Sequence, residues 1–192
     1  LASAAPFGVF LGIIAGYYRG SWLEIIIMRI ADIFLGVPPI IMALAIAAVL
    51  KPNLINSMIA ISAMWWPWYT RLAYGSACAL RNEYFVISAE LNGAKPSRII
   101  FGEILPNMVA PIFTKMSLDM GWAIIFGAML SFVGLGVQPP TPDLGSMVSD
   151  GAQYLPEYWW ITTFPALGIV IIVLAFNLLG DGLNDLFAAE KV

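Results

Sequence analysis

Lys115 and Asp119 carry opposite charges four residues apart, hence on one helical face, within a stretch from Met108 to Ser131 that is otherwise free of charge. Ionisable groups in lipid are costly and normally face a partner or a water-filled path. Two roles are open and compatible: the pair lines a translocation path, or it is a self-satisfied i, i+4 pair that stabilises its own helix. Nucleophilic and metal chemistry find little to work with. The chain has no His and one Cys, Cys78. That removes Ser–His and Cys–His pairs, histidine metal sites, cysteine clusters, haem ligation by histidine and any intrachain disulfide. No G-x-x-x-x-G-K-[ST] string is present, so the chain does not hydrolyse ATP through a P-loop. The expectation is a protein with no catalytic residue and no bound metal, and not an enzyme.

A second stretch offers contact rather than reaction. Glu83 to Asn107 reads EYFVISAELNGAKPSRIIFGEILPN, too polar and amphipathic to cross a bilayer, between segments apolar enough to do so. Asn82 to Leu91 predicts a short helix with Phe85, Ser88 and Ala89 on one face, Asn92 continuing it, and Glu83 and Glu90 elsewhere. Small side chains at 88 and 89 would let it seat closely in a partner's groove. Gly93 suits the position after the helix, where a left-handed backbone costs a glycine little. Lys95-Pro96-Ser97 then turns the chain, Ser97 is placed to cap a second helix through Arg98–Phe101, and Pro106 marks re-entry into the membrane. The alternative is an amphipathic helix lying on the headgroups without a partner.

Composition sets the frame that must hold these groups. Hydrophobic residues make up 60% of the chain and charged residues only 11%, outside the range of soluble domains. Charge-free runs approach or exceed the length that crosses a hydrocarbon core, and backbone groups in lipid need internal partners, so they should be helices. The spacing predicts an all-α, polytopic membrane protein, a single transmembrane domain over 1–192 with five spans at about 1–17, 33–50, 54–72, 108–131 and 159–180. Gly36 and Pro38-Pro39 should kink or break the second span, with Pro67 and Pro165 candidates for the same effect later. Trp22–Asp32 is an interfacial helix or the end of the second span.

Alternating spans sort the connections into two sets. Arg19, Arg29, Arg71, Arg81, Lys95, Arg98 and Lys191 fall in one, and Lys51 in the other with Asp143, Asp150 and Glu157. Basic residues concentrate on the cytoplasmic side, which places the 82–107 loop and the C-terminus inside and the 132–157 loop outside. Trp65, Trp66, Trp68 and Tyr69 at one boundary and Tyr158, Trp159 and Trp160 at the other suit an aromatic belt, or ordinary packing between helices. In the 132–157 loop, Gly134, Gly136, Pro139, Pro140, Pro142 and Gly145 rule out a long regular helix.

Three stretches carry a family resemblance that runs over essentially the whole chain. The S-A-x-x-x-G string from Ser88 to Gly93, with Leu105-Pro106 beyond it, resembles the EAA loop of ABC-importer permeases. Leu130–Met147, LSFVGLGVQPPTPDLGSM, and Ala175–Asp185, AFNLLGDGLND, resemble the external loop and C-terminal end of the second permease subunit in the dipeptide/oligopeptide/nickel class. The resemblance implies a type I ABC-importer transmembrane domain with six spans expected and five present. Its N-terminal region is absent, pointing to a truncated chain or a fragment. It implies a path for peptides, nickel or other small solutes in the inner membrane of a bacterial or archaeal cell. Partners would be a homologous second permease, two cytoplasmic ATPase subunits carrying ATP and magnesium, an extracytoplasmic binding protein and lipid, with no nucleic acid and no cofactor on this chain. Phe85, Ser88, Ala89, Glu90, Gly93, Ala94, Leu105 and Pro106 would form the ATPase-coupling loop. Gln138, Pro139, Pro140, Thr141 and Pro142 would face the binding protein and external gate. One departure is that Ile87 stands where the motif's leading glutamate is expected, leaving Glu83, Glu90 or neither in that role. A secondary transporter would need internal repeats and an ion-coupling site, and an intramembrane enzyme a catalytic dyad; neither pattern is visible.

Overall fold

The computed structural model describes residues 1–189. Lys191 and the C-terminus, used above in assigning sidedness, lie outside the described residues. Regular structure is helical, with no strand among the described residues: α1 (Ala4–Tyr17), α2 (Trp22–Leu35), α3 (Pro39–Val49), α4 (Leu54–Leu80), α5 (Tyr84–Leu91), α6 (Pro96–Arg98), a π-helical segment (Ile99–Ile104), α7 (Leu105–Phe132), α8 (Leu144–Ala152) and α9 (Trp159–Ala189).

Among the described residues, length and apolarity single out two helices as able to cross a bilayer, Pro96–Phe132 with 37 residues and Trp159–Leu186 with 28. The expected second span is a broken one: the helix stops between α2 and α3, and taken together they make a third candidate. The break has a local cause. Pro38 sits at φ −54, ψ 129, as the residue before a proline prefers, so the helix cannot run through it. α2 therefore ends at Gly36, whose N–H bonds Asp32 O, and α3 restarts with Pro39 in its first turn. α1 is apolar but only 14 residues long. α4 is long enough at 27 residues, but Asn56, Ser57, Ser62, Thr70 and Arg71 dilute its apolar character. Pro67, Pro111 and Pro165 lie inside continuing helices.

The chain packs as two compact units. One comprises Ala2–Val37 and Trp65–Thr114. Its frame is α1 laid against α4. A Cβ on Gly8 would sit 2.3 Å from Trp66 O, one on Gly12 2.3 Å from Thr70 O, and one on Gly16 2.9 Å from Tyr74 O. Three glycines at four-residue spacing thus bring two backbones together as small residues do in membranes. Phe7 and Phe34 each meet Trp66 edge-on, with centroids 5.6 and 5.3 Å away. Trp65, Trp66 and Tyr69 are therefore buried packing residues, and of that cluster only Trp68 is exposed as a belt residue would be. Asp32 pairs with Arg71, tying α2 to α4.

The other unit comprises Leu1, Pro38–Met64 and the residues from Lys115 on. Here α8 packs along α9. Gly145, at the start of α8, approaches α7 so closely that a Cβ would lie 2.4 Å from Ala128 O. Ser57 Oγ donates to Leu135 O over 3.1 Å, holding the end of α7. An apolar cleft of about 410 Å³ lies among Ile40, Leu44, Met129, Phe132, Val148 and Ile169.

Candidate functional site

The 82–107 element begins where α4 ends. The N–H groups of Asn82 and Glu83 turn back to Ala79 O and Leu80 O, and the Asn82 amide donates to Cys78 O over 3.2 Å. α5 then runs for eight residues from Glu83 as its N-cap. Val86 is its wholly buried residue, on a helix that packs against the π-helical segment with its buried Ile99, Ile100 and Ile104. The rest of α5 faces outward. Phe85, Ile87, Ser88 and Glu90 are exposed and Ala89 half-buried, while Tyr84 and Leu91 are 85% and 83% exposed. An isolated eight-residue helix is marginal in water; this one is held by Val86 and by its C-terminal cap.

That cap is a Schellman motif. Gly93 N–H donates to Glu90 O over 2.9 Å and Ala94 N–H to Ala89 O over 3.0 Å. Gly93 has φ +75, and a Cβ there would meet nothing within 4 Å, so backbone conformation alone demands glycine. The Asn92 side-chain amide adds a bond to Ser88 O at 2.9 Å.

Two boundaries differ from the sequence expectation. Ser97 does not cap the second helix: Lys95 holds the N-cap position without a side-chain bond, and Pro96 takes the first helical position, where its fixed φ fits. Pro106 is no helix boundary, because the helix passes unbroken from Pro96 to Phe132. A proline inside a helix normally clashes with the carbonyl four residues back. Here the π-helical turn over Ile99–Ile104, closed by Leu105 N–H to Ile100 O, widens the register just before Pro106. Leu105 and Pro106 thus stand in the first turn of α7, apart from the other coupling candidates, which lie on α5 or in its C-terminal cap.

Two residues that sequence reasoning missed hold this element to its frame. Tyr17, the last residue of α1, donates its hydroxyl to Glu90 Oε1 over 3.3 Å across 73 residues of sequence. Arg81, just past α4, donates to the Tyr17 carbonyl and lies over the Tyr17 ring, 4.9 Å from its centroid. The glycine spacing at 8, 12 and 16 was a visible sign that α1 would pack closely on another helix; nothing local marks Tyr17 or Arg81.

At the start of α2, Ser21 Oγ accepts from Glu24 N–H, and the Glu24 carboxylate accepts from Gly20 N–H at 2.6 Å and from the Tyr74 hydroxyl. The Tyr74 bond first, and the Gly20 bond second, hold the Glu24 carboxyl below the usual carboxylate range.

On α7, Lys115 Nζ reaches Asp119 Oδ1, so the i, i+4 pair is made. Asp119 is 2% exposed, and its Oδ2 is buried with no hydrogen-bond partner among the described residues. Lys115 is half-buried, with about a third of its side chain accessible. In the 132–157 loop, Gln138, Pro139, Pro140, Thr141 and Pro142 are all exposed. The run is pinned at both ends. The Gln138 amide donates to Gly134 O and Gly136 O at 3.1 and 3.2 Å, and Asp143 caps α8 by accepting from Ser146 N–H at 3.0 Å. Among the described residues no group of His, Cys, Asp and Glu could hold a metal ion.

Residues 8–191 match the profile of the binding-protein-dependent transport system inner membrane component family. The chain is 45% identical over 185 residues to the dipeptide transport system permease protein DppC of Alkalihalophilus pseudofirmus, covering 96% of this chain and 60% of that protein. It is 40% identical over 186 residues to the probable D,D-dipeptide transport system permease protein DdpC of Escherichia coli, covering 97% of this chain and 62% of that one. The chain thus spans about three fifths of the length of these relatives. Among solved structures it superposes on a chain of the MetNI methionine ABC transporter in an inward-facing conformation with a TM-score of 0.73 at 19% identity, over 96% of this chain and 89% of that one. That likeness shows a shared fold, and with the family match the fold is that of a type I ABC-importer transmembrane domain.

Proposed function

Because the chain belongs to the family of binding-protein-dependent transport system inner membrane components, we propose that it is a permease subunit of an ATP-driven importer, forming part of the translocation path. The proposed cargo is short peptides, supported by relatives named as dipeptide permeases; nickel or another small solute is the alternative for this permease class. The working complex would pair this chain, as a single permease domain, with a homologous permease, two ATPase subunits that carry ATP and magnesium, and an extracytoplasmic binding protein. The chain itself would bind no cofactor.

One observation carries the reading. α5 is a short helix fixed from within by Val86 and closed by Gly93, yet it presents Tyr84, Phe85, Ile87 and Leu91 outward together. Such a face suits a groove on a partner protein. Ile87 makes the contact apolar where the family motif supplies a carboxylate, so docking would rest on shape and burial more than on ion pairing. Arg81, Lys95 and Arg98 in or beside this element, against Lys51 in the opposite set, support its placement on the cytoplasmic side of a multi-pass inner-membrane protein. Gln138–Pro142 would then meet the binding protein outside, and Lys115 with Asp119 would border the path.

The test is reconstitution. The protein would be co-expressed with candidate ATPase subunits and a second permease and placed in liposomes with a candidate binding protein. Uptake of a radiolabelled dipeptide should require ATP, and the ATPase subunits should co-purify. A complex that forms but never couples ATP hydrolysis to uptake of any solute would sink the reading.

A further inference from the structure

A helix that receives a push must be joined to something rigid, and the first unit supplies the joint. α1 and α4 behave as one body because Gly8, Gly12 and Gly16 set their backbones in contact over successive turns, leaving no room to slide. At the far end of that seam the Cys78 thiol donates to Gly16 O, and Arg81 caps the C-terminus of α1 through the Tyr17 carbonyl while covering the Tyr17 ring. Tyr17 is thereby fixed by both helices and is itself buried. Its hydroxyl then leaves this body and reaches Glu90 on α5. Apart from the turn at Asn82–Glu83 that leads out of α4, α5 is attached by Val86 against the π-helical segment, a contact that is apolar and non-directional. It keeps α5 close but does little to resist rotation or sliding. The Tyr17–Glu90 bond is directional, and it turns a carboxylate of the outward-facing helix back toward the protein.

We infer that Tyr17 is a positioning residue for coupling: through Glu90 it makes α5 move with the α1–α4 body, so that displacement of α5 is delivered to the membrane helices instead of being lost as slippage. This rests on the coupling role proposed for α5. It also assigns Glu90 inward, to the protein's own frame, and not to the place of the missing glutamate at Ile87.

Two measurements on the full-length protein in its reconstituted complex test the inference. Spin labels at Ser88→Cys on α5 and Phe10→Cys on α1, in a Cys78→Ser background, report whether the two helices keep their separation between the nucleotide-free and ATP–vanadate states. The separation should stay constant with Tyr17 in place and shift between states in Tyr17→Phe, which keeps the ring over which Arg81 lies. Dipeptide taken up per ATP hydrolysed should fall about five-fold in Tyr17→Phe, the worth of one hydrogen bond, while ATPase subunits still co-purify. Glu90→Ala, which leaves no acceptor for the Tyr17 hydroxyl, should weaken the ratio similarly, and the double variant should be no worse than the poorer single one, since both remove the same link. A constant separation and an unchanged ratio in Tyr17→Phe would overturn the inference. So would a loss confined to the amount of assembled complex, which marks a purely structural role, or loss of ATPase binding in Glu90→Ala, which would put Glu90 in the partner interface. Failure of the coupling reading itself is separable, because it appears in the parent protein as hydrolysis without uptake.

Discussion

Ala94 N–H donates to Ala89 O across Gly93, and the bond, 3.0 Å long, closes α5 only because Gly93 stands at φ +75. A residue with a Cβ in that region costs about 1 kcal/mol or more, and a β-branched one more than that. Gly93→Val should therefore open the cap and misorient the α5 face, lowering dipeptide uptake and uptake-stimulated ATP hydrolysis together while the amount of protein in the membrane is unchanged. Gly93→Asn should retain most activity, since asparagine tolerates the left-handed conformation. Equal activity in both variants would show that the cap does not govern coupling.

Gly12 tests the seam between α1 and α4. Its Cβ would fall 2.3 Å from Thr70 O and 2.6 Å from Ala73 Cβ, both in packed helix where nothing can swing aside. Gly12→Leu should destabilise the purified protein by about 1–3 kcal/mol, as overpacking does, read as a lower unfolding temperature in detergent. Gly75, where a Cβ meets nothing within 4 Å, should accept alanine without loss of stability. Indifference at Gly12 would show that the helices have slack, and with it the rigid α1–α4 body would fail.

What could be read in the sequence follows the range of the forces involved. α5 and its terminating glycine, the break at Pro38-Pro39 and the exposed run from Gln138 to Pro142 rest on rules acting over a few residues, and the chain obeys them. Ser97 was misassigned because a proline one position earlier is a stronger helix start than a serine. Pro106 was misread because its usual effect is absorbed by a π-helical turn that no residue pattern announces. Trp65, Trp66 and Tyr69 matched a belt by position, but Phe7 and Phe34, which cover Trp66, come from helices far earlier in the chain. The Tyr17–Glu90 link is a matter of tertiary placement alone.

Glu24 gives a pH dependence of defined sign. Its folded carboxyl titrates below the ordinary 4.5 because Tyr74 and Gly20 donate to the ionised form. A group depressed on folding stabilises the fold above its unfolded value and loses that contribution as pH falls through the folded one. The tie from α2 to α4 should thus be at full strength at neutral pH and fade below about 4.5. Tyr74→Phe removes the principal donor. Its unfolding temperature should lie below that of the parent at pH 7, and the gap should narrow under acid. A gap that is constant, or that widens on acidification, would show that the Tyr74 bond does not depend on the charge of Glu24.

Lys115 and Asp119 separate path from scaffold. Asp119 stands nearer the middle of the Met108–Ser131 stretch, which by depth alone makes it the residue expected to meet an alternating path, but in the structure Asp119 is buried and Lys115 partly open. In a Cys78→Ser background, a cysteine at 115 should react with a small charged thiol reagent faster than one at 119. If the pair borders the path, ATP turnover should change the rate at 115. The energetics point the same way. Lys115→Met alone leaves a buried carboxylate without its partner and should cost several kcal/mol, whereas Lys115→Met with Asp119→Leu removes both charges and should recover much of that stability. Transport then decides. A stable double variant that still imports dipeptide at the parent rate would make the pair structural only. A stable double variant that assembles with its ATPases but does not import would place the two charges at the path, where Asp119 Oδ2, without a hydrogen-bond partner among the described residues, supplies an acceptor for a cationic group.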